Sequence, residues 1–384
     1  MRIYDMDKKC YVAIQKIDEA CKKIEQLSDA LYCYKNEIFT TVYDKSQPAL
    51  KSHVASFKKE YLEQTNMQFL YFTSGTTGLP TGVYKTKQNS RQQALSMIST
   101  LPKNIKFTRV ITTVPFVHIY GVDIGGVVPF EMDIDVWAKE NFLPEELALE
   151  AAIPNTLIIT TPLFIKALNR IKKPVHFEKS FFITSTAPLS QKDAKEFKEH
   201  YRSSVMQLFA STEAGIMGYK IDDEETFKTY NCVQIGENDS KLNISSPFVT
   251  QKVLNKTIKD VVLPFQTEDI VEILGEHEFK LLGRSSNLAK IAGKRISTIQ
   301  IENIIESLGE VKCALVKVRK DEKALRDEIL DIYIESDIEI KHKDIRDMFK
   351  EVFGPINIIF KVYNGMEIIK SSVGKKIGFK EKTN

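Results

Sequence analysis

The sequence lacks several features that would place it in a class at once. Its five cysteines are scattered and form no Cys-x-x-Cys pair, which argues against a disulfide framework and against a zinc site. No uninterrupted apolar run is long enough to cross a bilayer, and the first residues contain no apolar segment of a signal peptide. We therefore expect a cytoplasmic protein that does not have a membrane as its partner.

An excess of charge of either sign is also missing. The 54 Lys and Arg residues nearly balance the 51 Asp and Glu residues, which leaves a net charge of +3. This balance provides no electrostatic attraction for nucleic acid, so we expect no nucleic-acid partner. The 384 residues are enough for two or three domains with a sizeable core.

The sequence does contain a run of hydroxyl side chains and glycines directly after the apolar segment 67–72, which predicts a buried strand. Glycines allow the backbone to approach a ligand closely, and successive backbone N–H groups can form a concave anion site. No Gly-Lys-Ser/Thr follows, so this is not a Walker A loop. The run indicates either a cradle for a polyphosphate or a polar turn between strands. Its residues are Thr73, Ser74, Gly75, Thr76, Thr77 and Gly78.

Apolar runs then alternate with helix-length segments, which predicts βαβ units and a mostly parallel sheet. The predicted strands are 67–72, 110–114, 157–160, 180–184 and 205–209. In open α/β sheets ligands bind beyond the carboxyl ends of the strands, so the residues there should meet at one edge. The candidates at these strand ends are His118, Tyr120, Ser185, Thr186, Ala187, Phe209, Ala210, Ser211, Thr212 and Glu213.

The flanking parts of the chain predict a helix and two smaller units. Apolar residues at three- and four-residue steps predict a helix over about 9–35. Strand-like runs separated by turn residues, among them 261–264, predict a β subdomain over about 230–283. We expect an α/β fold with a large N-terminal domain, residues 1–283, that contains mostly parallel sheets and this β subdomain. A small mobile α+β domain, residues 284–384, should follow it.

In this order the segments resemble the adenylate-forming superfamily, which includes acyl- and aryl-CoA synthetases, peptide-synthetase adenylation domains and luciferases. The Gly-rich run is similar to Thr-Ser-Gly-Thr-Thr-Gly-x-Pro-Lys-Gly, with Thr81 in place of the Lys. Pro115-x-x-His118-x-x-Gly121 resembles the segment that lines the acyl pocket, especially in aryl-CoA ligases of the 4-coumarate type. Residues 185–190 resemble the motif Gly-Gly-Ala-Pro-Leu, residues 209–213 resemble Tyr-Gly-x-Thr-Glu, and residues 267–269 resemble Thr-Gly-Asp. Residues 283–296 resemble Gly-Arg-x-Asp-x-x-Ile-Lys-x-x-Gly-x-Arg-Ile, and residues 371–375 resemble Thr-x-x-Gly-Lys.

The chain also departs from the pattern of this superfamily. Only about 70 residues precede the Gly-rich run, so we expect an abbreviated N-terminal subdomain like that of some short relatives. Ser286 stands where the superfamily has a hinge Asp or Lys, and Ile369 where a Pro is common. Because Thr81 replaces the lysine of the motif, the phosphate cradle has one cation fewer. Lys85 or Lys87 could supply this charge instead.

The resemblance implies a two-step reaction in which a carboxylate attacks the α-phosphate of ATP and a thiol then attacks the acyl-adenylate. It implies that Thr73 to Gly78 hold the phosphates, that Thr212 donates to the α-phosphate and that Glu213 binds Mg²⁺. It implies that Asp269 and Arg284 face the ribose and that Lys375 bridges carboxylate and phosphate. Nucleotide contacts are also implied for Thr186, Ala187, Phe209, Ala210 and Ser211, and pocket contacts for His118, Tyr120 and Ser185.

Several of these residues also have an ordinary structural interpretation. Glu213 could be a surface residue of a turn, Asp269 an Asx-turn residue, and His118 a packed core residue. Lys375 has a neighbour, Lys376, that could take its place. Asp123 could bind the ammonium group of an amino acid, although amino-acid activators carry their Asp at the position of Ile119.

The preferred hypothesis is therefore an ATP-dependent acid–thiol ligase that uses Mg²⁺ and an aryl or acyl carboxylic acid. The thiol would belong to CoA or to the phosphopantetheine of an acyl carrier protein, which would then be a partner. The alternatives are a non-catalytic or regulatory nucleotide-binding relative and an amino-acid-activating adenylation enzyme.

Overall fold

The computed structural model describes residues 1–62, 64–72, 80–172, 175–285, 288–291, 294–308, 310–320, 328–354, 358–370 and 376–382. Its chain divides into two compact units. Unit 1 consists of Met1–Ile235, Ile244–Phe265 and Gly275–Glu278, and unit 2 of Gly236–Asn243, Gln266–Leu274 and Phe279–Asn384. This division rests on contacts and does not test movement, so the expected division between residues 283 and 284 stays a prediction.

Strands and helices alternate over much of the described chain. The strands are β1 (Ile3–Asp5), β2 (Cys10–Val12), β3 (Thr40–Val42), β4 (Phe69–Phe72), β5 (Gly82–Lys85), β6 (Arg109–Thr112), β7 (Asp135–Ala138), β8 (Thr156–Thr160), β9 (Ser180–Thr184), β10 (Ser204–Ser211), β11 (Gly215–Ile221), β12 (Phe227–Lys228), β13 (Gln234–Asn238), β14 (Lys241–Ser245), β15 (Lys252–Leu254), β16 (Ile258–Asp260), β17 (Phe265–Gly275), β18 (Glu278–Arg284), β19 (Leu288–Ile291), β20 (Lys294–Ser297), β21 (Val311–Lys320), β22 (Glu328–Ser336), β23 (Phe360–Tyr363), β24 (Met366–Lys370) and β25 (Lys376–Glu381). The helices are α1 (Lys23–Asn36), α2 (Pro48–Ala55), α3 (Lys59–Leu62), α4 (Lys87–Thr100), a π-helix (Tyr120–Val127), α5 (Val128–Glu131), α6 (Pro144–Ala151), α7 (Pro162–Asn169), α8 (Gln191–Tyr201), α9 (Thr298–Glu306) and α10 (His342–Phe353).

The main sheet of unit 1 has the strand order β12-β11-β10-β9-β8-β6-β7-β1-β2. The strands from β10 to β1 pair in parallel, and β2, β11 and β12 pair antiparallel at the two sides. Strands β6, β8 and β9 are buried along their whole length, as expected for parallel strands covered on both faces. The predicted α/β class with mostly parallel strands is therefore confirmed, and the carboxyl ends of β6, β8, β9 and β10 share one edge.

A second sheet of unit 1, β16-β15-β5-β4-β3, contains the strand that precedes the Gly-rich run. Strand β4 pairs in parallel with β3 and antiparallel with β5, and Phe72 lies opposite Gly82. The prediction that segment 67–72 belongs to the same sheet as the other four strands is wrong. An apolar run indicates a buried strand but does not indicate its partner.

The predicted helix over residues 9–35 is wrong in its first half. Residues 10–12 form β2, and α1 begins only at Lys23. Between them, the backbone N–H groups of Gln15 and Ile17 donate hydrogen bonds of 2.9 Å each to the side chains of Ser28 and Asp29 on α1. The periodicity therefore combined apolar residues of α1 with those of an extended segment that lies along it.

Unit 2 contains the sheet order β13-β14-β17-β18, a three-stranded sheet β21-β22-β23 and the hairpins β19-β20 and β24-β25. Helices α9 and α10 pack their apolar sides, including Ile301, Ile305 and Ile345, into one core with the three-stranded sheet. The predicted strand at 261–264 is not present, because these residues lie between β16 and β17. No helix among the described residues is long and apolar enough to cross a membrane.

Candidate functional site

The turn between β10 and β11 presents Thr212 and Glu213 at the carboxyl end of a strand. The Ser211 hydroxyl accepts a 3.0 Å hydrogen bond from the N–H of Ala214, which closes the turn. Gly215 completes it with a φ of +74°, and a Cβ atom there would lie 2.5 Å from the side-chain oxygen of Gln93. The left-handed φ and the close approach of Gln93 both favour glycine at this position.

A β-bulge between Phe209 and Ala210 precedes this turn. A bulge redirects the side chains that follow it, and bulges are enriched beside active sites. Phe209 is half-buried and its ring centroid lies 5.4 Å from that of Phe227, whereas Ala210 is exposed. The bulge therefore separates the packed part of β10 from the part that ends in Thr212.

The carboxylate of Glu213 is held in place through its own backbone. Its carbonyl oxygen accepts hydrogen bonds from the N–H of Thr250 at 2.8 Å and from the ammonium of Lys85 at 3.0 Å. Over the ranges that the structure describes, no group donates to the Glu213 carboxylate itself. A half-buried carboxylate that has no donor among the described residues is suited to Mg²⁺, which binds one or two carboxylates and completes its shell with waters and phosphates.

Lys85 is fully buried and cannot supply the phosphate cation for which the sequence made it a candidate. Its ammonium donates to the carbonyl oxygens of Glu213 and, at 2.5 Å, of Phe248. Burial lowers the pKa of Lys85 to about 8, although the negative charges of Asp123 and Glu213 oppose this shift. The other candidate, Lys87, forms a 2.9 Å ion pair with Glu37.

Asp123 lies in the π-helix and is also buried. Its carboxylate accepts hydrogen bonds from Tyr71 at 2.9 Å, from Ser90 at 3.1 Å and from Gln93 at 3.1 Å. Burial raises the pKa of Asp123 to about 6, while the bond from Tyr71 and the charge of Lys85 act against the shift. These partners occupy the carboxylate, so the structure gives no support to Asp123 as a ligand of a substrate ammonium.

Gln93 connects this carboxylate to the candidate metal turn. Its amide nitrogen donates to Asp123, and its amide oxygen accepts a 2.8 Å bond from the N–H of Ile216, just after the turn. We call Tyr71, Lys85, Gln93 and Asp123 the buried polar network. Sequence reasoning missed it as a unit, because its members come from four elements and only the alternation of polar with apolar residues on α4 hints at an inward-facing Gln93.

The segment from Pro115 to Gly121 crosses the carboxyl ends of the central strands. The Tyr120 hydroxyl lies 2.9 Å from the Thr160 carbonyl and 3.1 Å from the Ile183 carbonyl, at the ends of β8 and β9. A Cβ atom at Gly121 would lie 2.0 Å from the carbonyl oxygen of Pro115, which explains the glycine in this pattern. The hydroxyl of Tyr120 is therefore held by two backbone carbonyls, and its aromatic ring is the part of the side chain that could contact a ligand.

His118 precedes this anchor and is partly exposed. Burial lowers the pKa of His118 below its usual value, although the charge of Asp44 opposes the shift. A lowered pKa favours the neutral imidazole, which suits a residue beside an apolar acyl chain better than one that binds a carboxylate.

The loop after β9 combines a buried serine with a strained threonine. The Ser185 hydroxyl donates 3.1 Å to the Leu208 carbonyl of β10, so it fastens the loop to the neighbouring strand. Thr186 has a φ of +80°, a region that glycine adopts easily and that a β-branched residue rarely occupies. Thr186 and Ala187 are both partly exposed. Backbone strain in a loop of this kind is often associated with a binding site.

Unit 2 brings two further candidates together. The guanidinium of Arg284 on β18 forms a 3.0 Å ion pair with Asp269 on β17. Burial raises the pKa of Asp269, and the charge of Arg284 acts against this shift. The N–H of Asp269 donates 3.1 Å to the Thr267 hydroxyl, which fixes the backbone that carries the carboxylate.

Several predicted site residues lie outside the described residues. These are Thr73, Ser74, Gly75, Thr76, Thr77 and Gly78 of the Gly-rich run, Ser286 of the linker, and Lys375. Thr81 at the end of the run is described, and its hydroxyl donates 2.7 Å to the side-chain oxygen of Asn255. In the described part of the chain no group of three or more His, Cys, Asp or Glu side chains could hold a metal ion.

Comparison with known proteins gives a family match and several relatives. A family model described as AMP-binding enzyme matches residues 3–237, more than half of the chain. The chain is 25% identical over 269 residues to 2-succinylbenzoate–CoA ligase of Listeria monocytogenes, covering 66% of this chain and 56% of the relative. It is also 25% identical over 179 residues to the peroxisomal OPC-8:0-CoA ligase 1 of Arabidopsis thaliana, covering 45% of this chain and 33% of the relative. The chain thus spans about half the length of the curated relatives it matches.

Solved structures share the fold. The O-succinylbenzoate coenzyme A synthetase of Bacillus subtilis in complex with AMP has a TM-score of 0.69 at 16% identity, covering 92% of this chain and 80% of that chain. ATP-bound MatB from Rhodopseudomonas palustris has a TM-score of 0.69 at 15% identity, covering 82% of this chain and 67% of that chain. At these identities the likeness concerns the fold alone.

Proposed function

The chain belongs to the family of AMP-binding enzymes, and we propose that it is an AMP-forming acid–thiol ligase. This membership confirms the resemblance to the adenylate-forming superfamily that the sequence predicted. In the proposed reaction a carboxylate oxygen attacks the α-phosphorus of ATP and pyrophosphate leaves. A thiol sulfur then attacks the acyl carbon of the acyl-adenylate, AMP leaves, and a thioester forms.

The observation that carries the proposal is the Glu213 carboxylate, which stands at a strand end while its backbone is fixed from two sides. Glu213 would hold Mg²⁺, whose charge neutralises the phosphates during the first step. Thr212 would donate to the α-phosphate, and Thr73 to Gly78 would hold the β- and γ-phosphates. The Thr186 loop and the end of β10, from Phe209 to Ser211, would contact the adenosine part.

The Asp269–Arg284 pair supports a role for both residues at the ribose. The guanidinium of Arg284 contacts Oδ1 of Asp269, and a carboxylate has a second oxygen that would accept a ribose hydroxyl. The guanidinium has five N–H donors and could reach a ribose oxygen at the same time. Lys375 would bridge the substrate carboxylate and the α-phosphate, and residues 284–384 would move as a domain between the two steps.

For the acid and the acceptor we propose an aryl or acyl carboxylate and CoA. His118, whose pKa is lowered by burial, and the Tyr120 ring would line the acyl pocket, with the loop at Ser185 beside them. Two of the relatives are named as CoA ligases, which supports CoA over the phosphopantetheine of an acyl carrier protein. From the scattered cysteines and the balanced charge of the sequence, we also propose a cytoplasmic enzyme without a nucleic-acid or membrane partner.

A non-catalytic nucleotide-binding relative is the second candidate. The observation in its favour is Thr81, which stands in place of a lysine and uses its hydroxyl to bind Asn255. Exchange of labelled pyrophosphate into ATP, measured with a panel of acids, separates the two candidates. Exchange with an aryl or acyl acid supports the ligase, whereas ATP binding without exchange for any acid supports the second candidate. Exchange with amino acids alone would identify an amino-acid-activating enzyme.

A further inference from the structure

Lys376, the first residue of β25, connects three elements of unit 2. Its ammonium lies 2.8 Å from the carboxylate of Glu302 and 2.7 Å from that of Glu306, both on α9. It also donates 2.7 Å to the carbonyl of Ala314 on β21. An ammonium group has three N–H donors, so these three contacts use its full capacity.

The two carboxylates are themselves fixed to the sheet. Glu302 accepts a 2.9 Å bond from the N–H of Val316, and Glu306 accepts one of 2.9 Å from the N–H of Ala314. Only 8% and 12% of these two glutamate side chains is exposed, against 23% for Lys376. The cluster is therefore a closed, hydrogen-bonded anchor rather than a surface ion pair.

The electrostatics make this anchor selective for a cation. Burial by itself disfavours the ammonium, but the charges of Glu302 and Glu306 hold the pKa of Lys376 above its usual value. A neutral side chain at this position would leave two neighbouring carboxylates buried without a counter-charge, which is strongly unfavourable. Lys376 is thus committed to the fold and is not available to a substrate.

We propose that Lys376 is a positioning residue for the adjacent Lys375. This inference rests on the proposed function, in which Lys375 meets the substrate carboxylate and the α-phosphate. Lys376 directly follows Lys375 in the sequence, so the anchor acts on the residue next to the one assigned to the reactants. The same observation decides between the two consecutive lysines, because an ammonium that already serves three acceptors cannot also bridge the reactants.

A first experiment tests the anchor without using activity. The native chain is treated briefly with an amine-acetylating reagent, and modification of each lysine is followed by mass spectrometry. Lys380 on the same strand is 59% exposed and provides the reference rate. We expect Lys376 to react at least about tenfold more slowly than Lys380, and Glu302→Gln/Glu306→Gln to remove this protection. Equal rates for Lys376 and Lys380 in the unmodified sequence would overturn the proposal.

A second experiment tests the positioning role. Lys376→Met, Lys376→Arg and the control Lys380→Met are compared in pyrophosphate exchange and in thiolysis of supplied acyl-AMP. We expect Lys376→Met to lower exchange at least tenfold with thiolysis changed less than twofold, and Lys376→Arg to restore part of the exchange. Equal losses in both steps would indicate a purely structural role and overturn the proposal, as would unchanged exchange.

If Lys376→Met does not fold, variants of Glu302 and Glu306 test the positioning role instead. Glu306→Gln preserves the size of the side chain and one acceptor oxygen, and we expect a smaller loss confined to exchange. Absence of exchange in the unmodified chain would contradict the proposed function itself. Normal exchange that Lys376→Met and Glu306→Gln leave unchanged would contradict only the positioning role, so the two failures are distinguishable.

Discussion

The ammonium of Lys85 donates a 3.0 Å hydrogen bond to the backbone carbonyl of Glu213, the residue proposed to hold Mg²⁺. Lys85 belongs to the second sheet of unit 1, whereas Glu213 follows β10 of the main sheet. The bond therefore joins the two sheets at the proposed metal site. A cation that could have faced the phosphates instead fixes the turn that presents the metal ligand.

Replacing Lys85 with Met should weaken both the fold and the metal site. The backbone carbonyls of Glu213 and Phe248 would lose a charged donor, and the Asp123 carboxylate would lose the positive charge that compensates it. We therefore expect the free energy of unfolding to fall by about 1–3 kcal/mol. We also expect the Mg²⁺ concentration at half-maximal exchange to rise, because the Glu213 turn is less constrained. Urea unfolding and a Mg²⁺ titration measure these effects, with Lys87→Met, a partly exposed lysine whose ammonium pairs with Glu37, as the control. An unchanged Mg²⁺ dependence would contradict the link between Lys85 and Glu213.

The pH dependence of stability should show the buried charges. The pKa of Lys85 is lowered to about 8 in the folded chain. Between pH 8 and the ordinary pKa of a lysine, the amine is therefore protonated in the unfolded chain and mostly neutral in the folded chain. Stability from this group therefore rises with pH in that window. The pKa of Asp123 is raised to about 6 in the folded chain. Between about pH 4, near the ordinary pKa of an aspartate, and pH 6, the carboxyl is therefore protonated in the folded chain and ionised in the unfolded chain. The stability from this group falls as the pH rises through that window.

The two pH dependences are measured as differences between the wild type and a variant. Other charged groups that face the network, Glu213 among them, also affect how the free energy of unfolding changes with pH. The free energy of unfolding of the wild type relative to Lys85→Met should increase between pH 8 and 10, by at most about 1.4 kcal/mol per pH unit. Relative to Asp123→Asn it should decrease between pH 4 and 6. Parallel curves for wild type and variants would contradict the assignment of these shifts to the two residues.

Gly121 should tolerate no side chain. An added Cβ would lie 2.0 Å from the carbonyl oxygen of Pro115, a backbone atom that cannot rotate away. We expect Gly121→Ala to lower the free energy of unfolding by more than about 3 kcal/mol, measured by denaturant titration. Gly275→Ala is the matched control, because nothing lies within 4 Å of its added Cβ. Similar stabilities for the two variants would show that the close approach at Pro115 is absent.

Thr186 should gain stability on replacement by glycine. Its φ of +80° is unfavourable for a β-branched residue, so we expect Thr186→Gly to raise the free energy of unfolding by about 1 kcal/mol and Thr186→Ala not to raise it. If the strain also shapes the nucleotide loop, Thr186→Gly should weaken ATP binding. A loss of stability in Thr186→Gly would mean that its interactions outweigh the backbone strain.

The central strands could be predicted from the sequence because each signal is local. The run 180–184 coincides with β9, which is buried along its length and is bounded by loop residues. The pairing of β4 could not be predicted, since a strand of apolar residues carries no mark of its neighbour. The helix predicted over 9–35 extends too far, because the backbone of residues 13–17 is hydrogen-bonded to Ser28 and Asp29 of α1 without being helical itself.

The site could be predicted at the level of segments but not of contacts. The segments that contain Glu213, Asp269 and Arg284 follow strands or lie within them, and their order along the chain carried the resemblance. The buried polar network required knowledge of which sheets pack together, because Lys85 and Gln93 reach Glu213 and Ile216 across more than 120 positions of the chain. In the same way, the proposed choice of Lys375 over Lys376 depends on the carboxylates of α9, which pair with Lys376.

The most direct test of the account is exchange of labelled pyrophosphate into ATP in the presence of Mg²⁺ and an added carboxylic acid. The account predicts exchange with at least one aryl or acyl acid, and a loss of at least about a hundredfold in Lys375→Ala with ATP binding and thiolysis of supplied acyl-AMP retained. ATP binding without exchange for any acid, or undiminished exchange in Lys375→Ala, would contradict it.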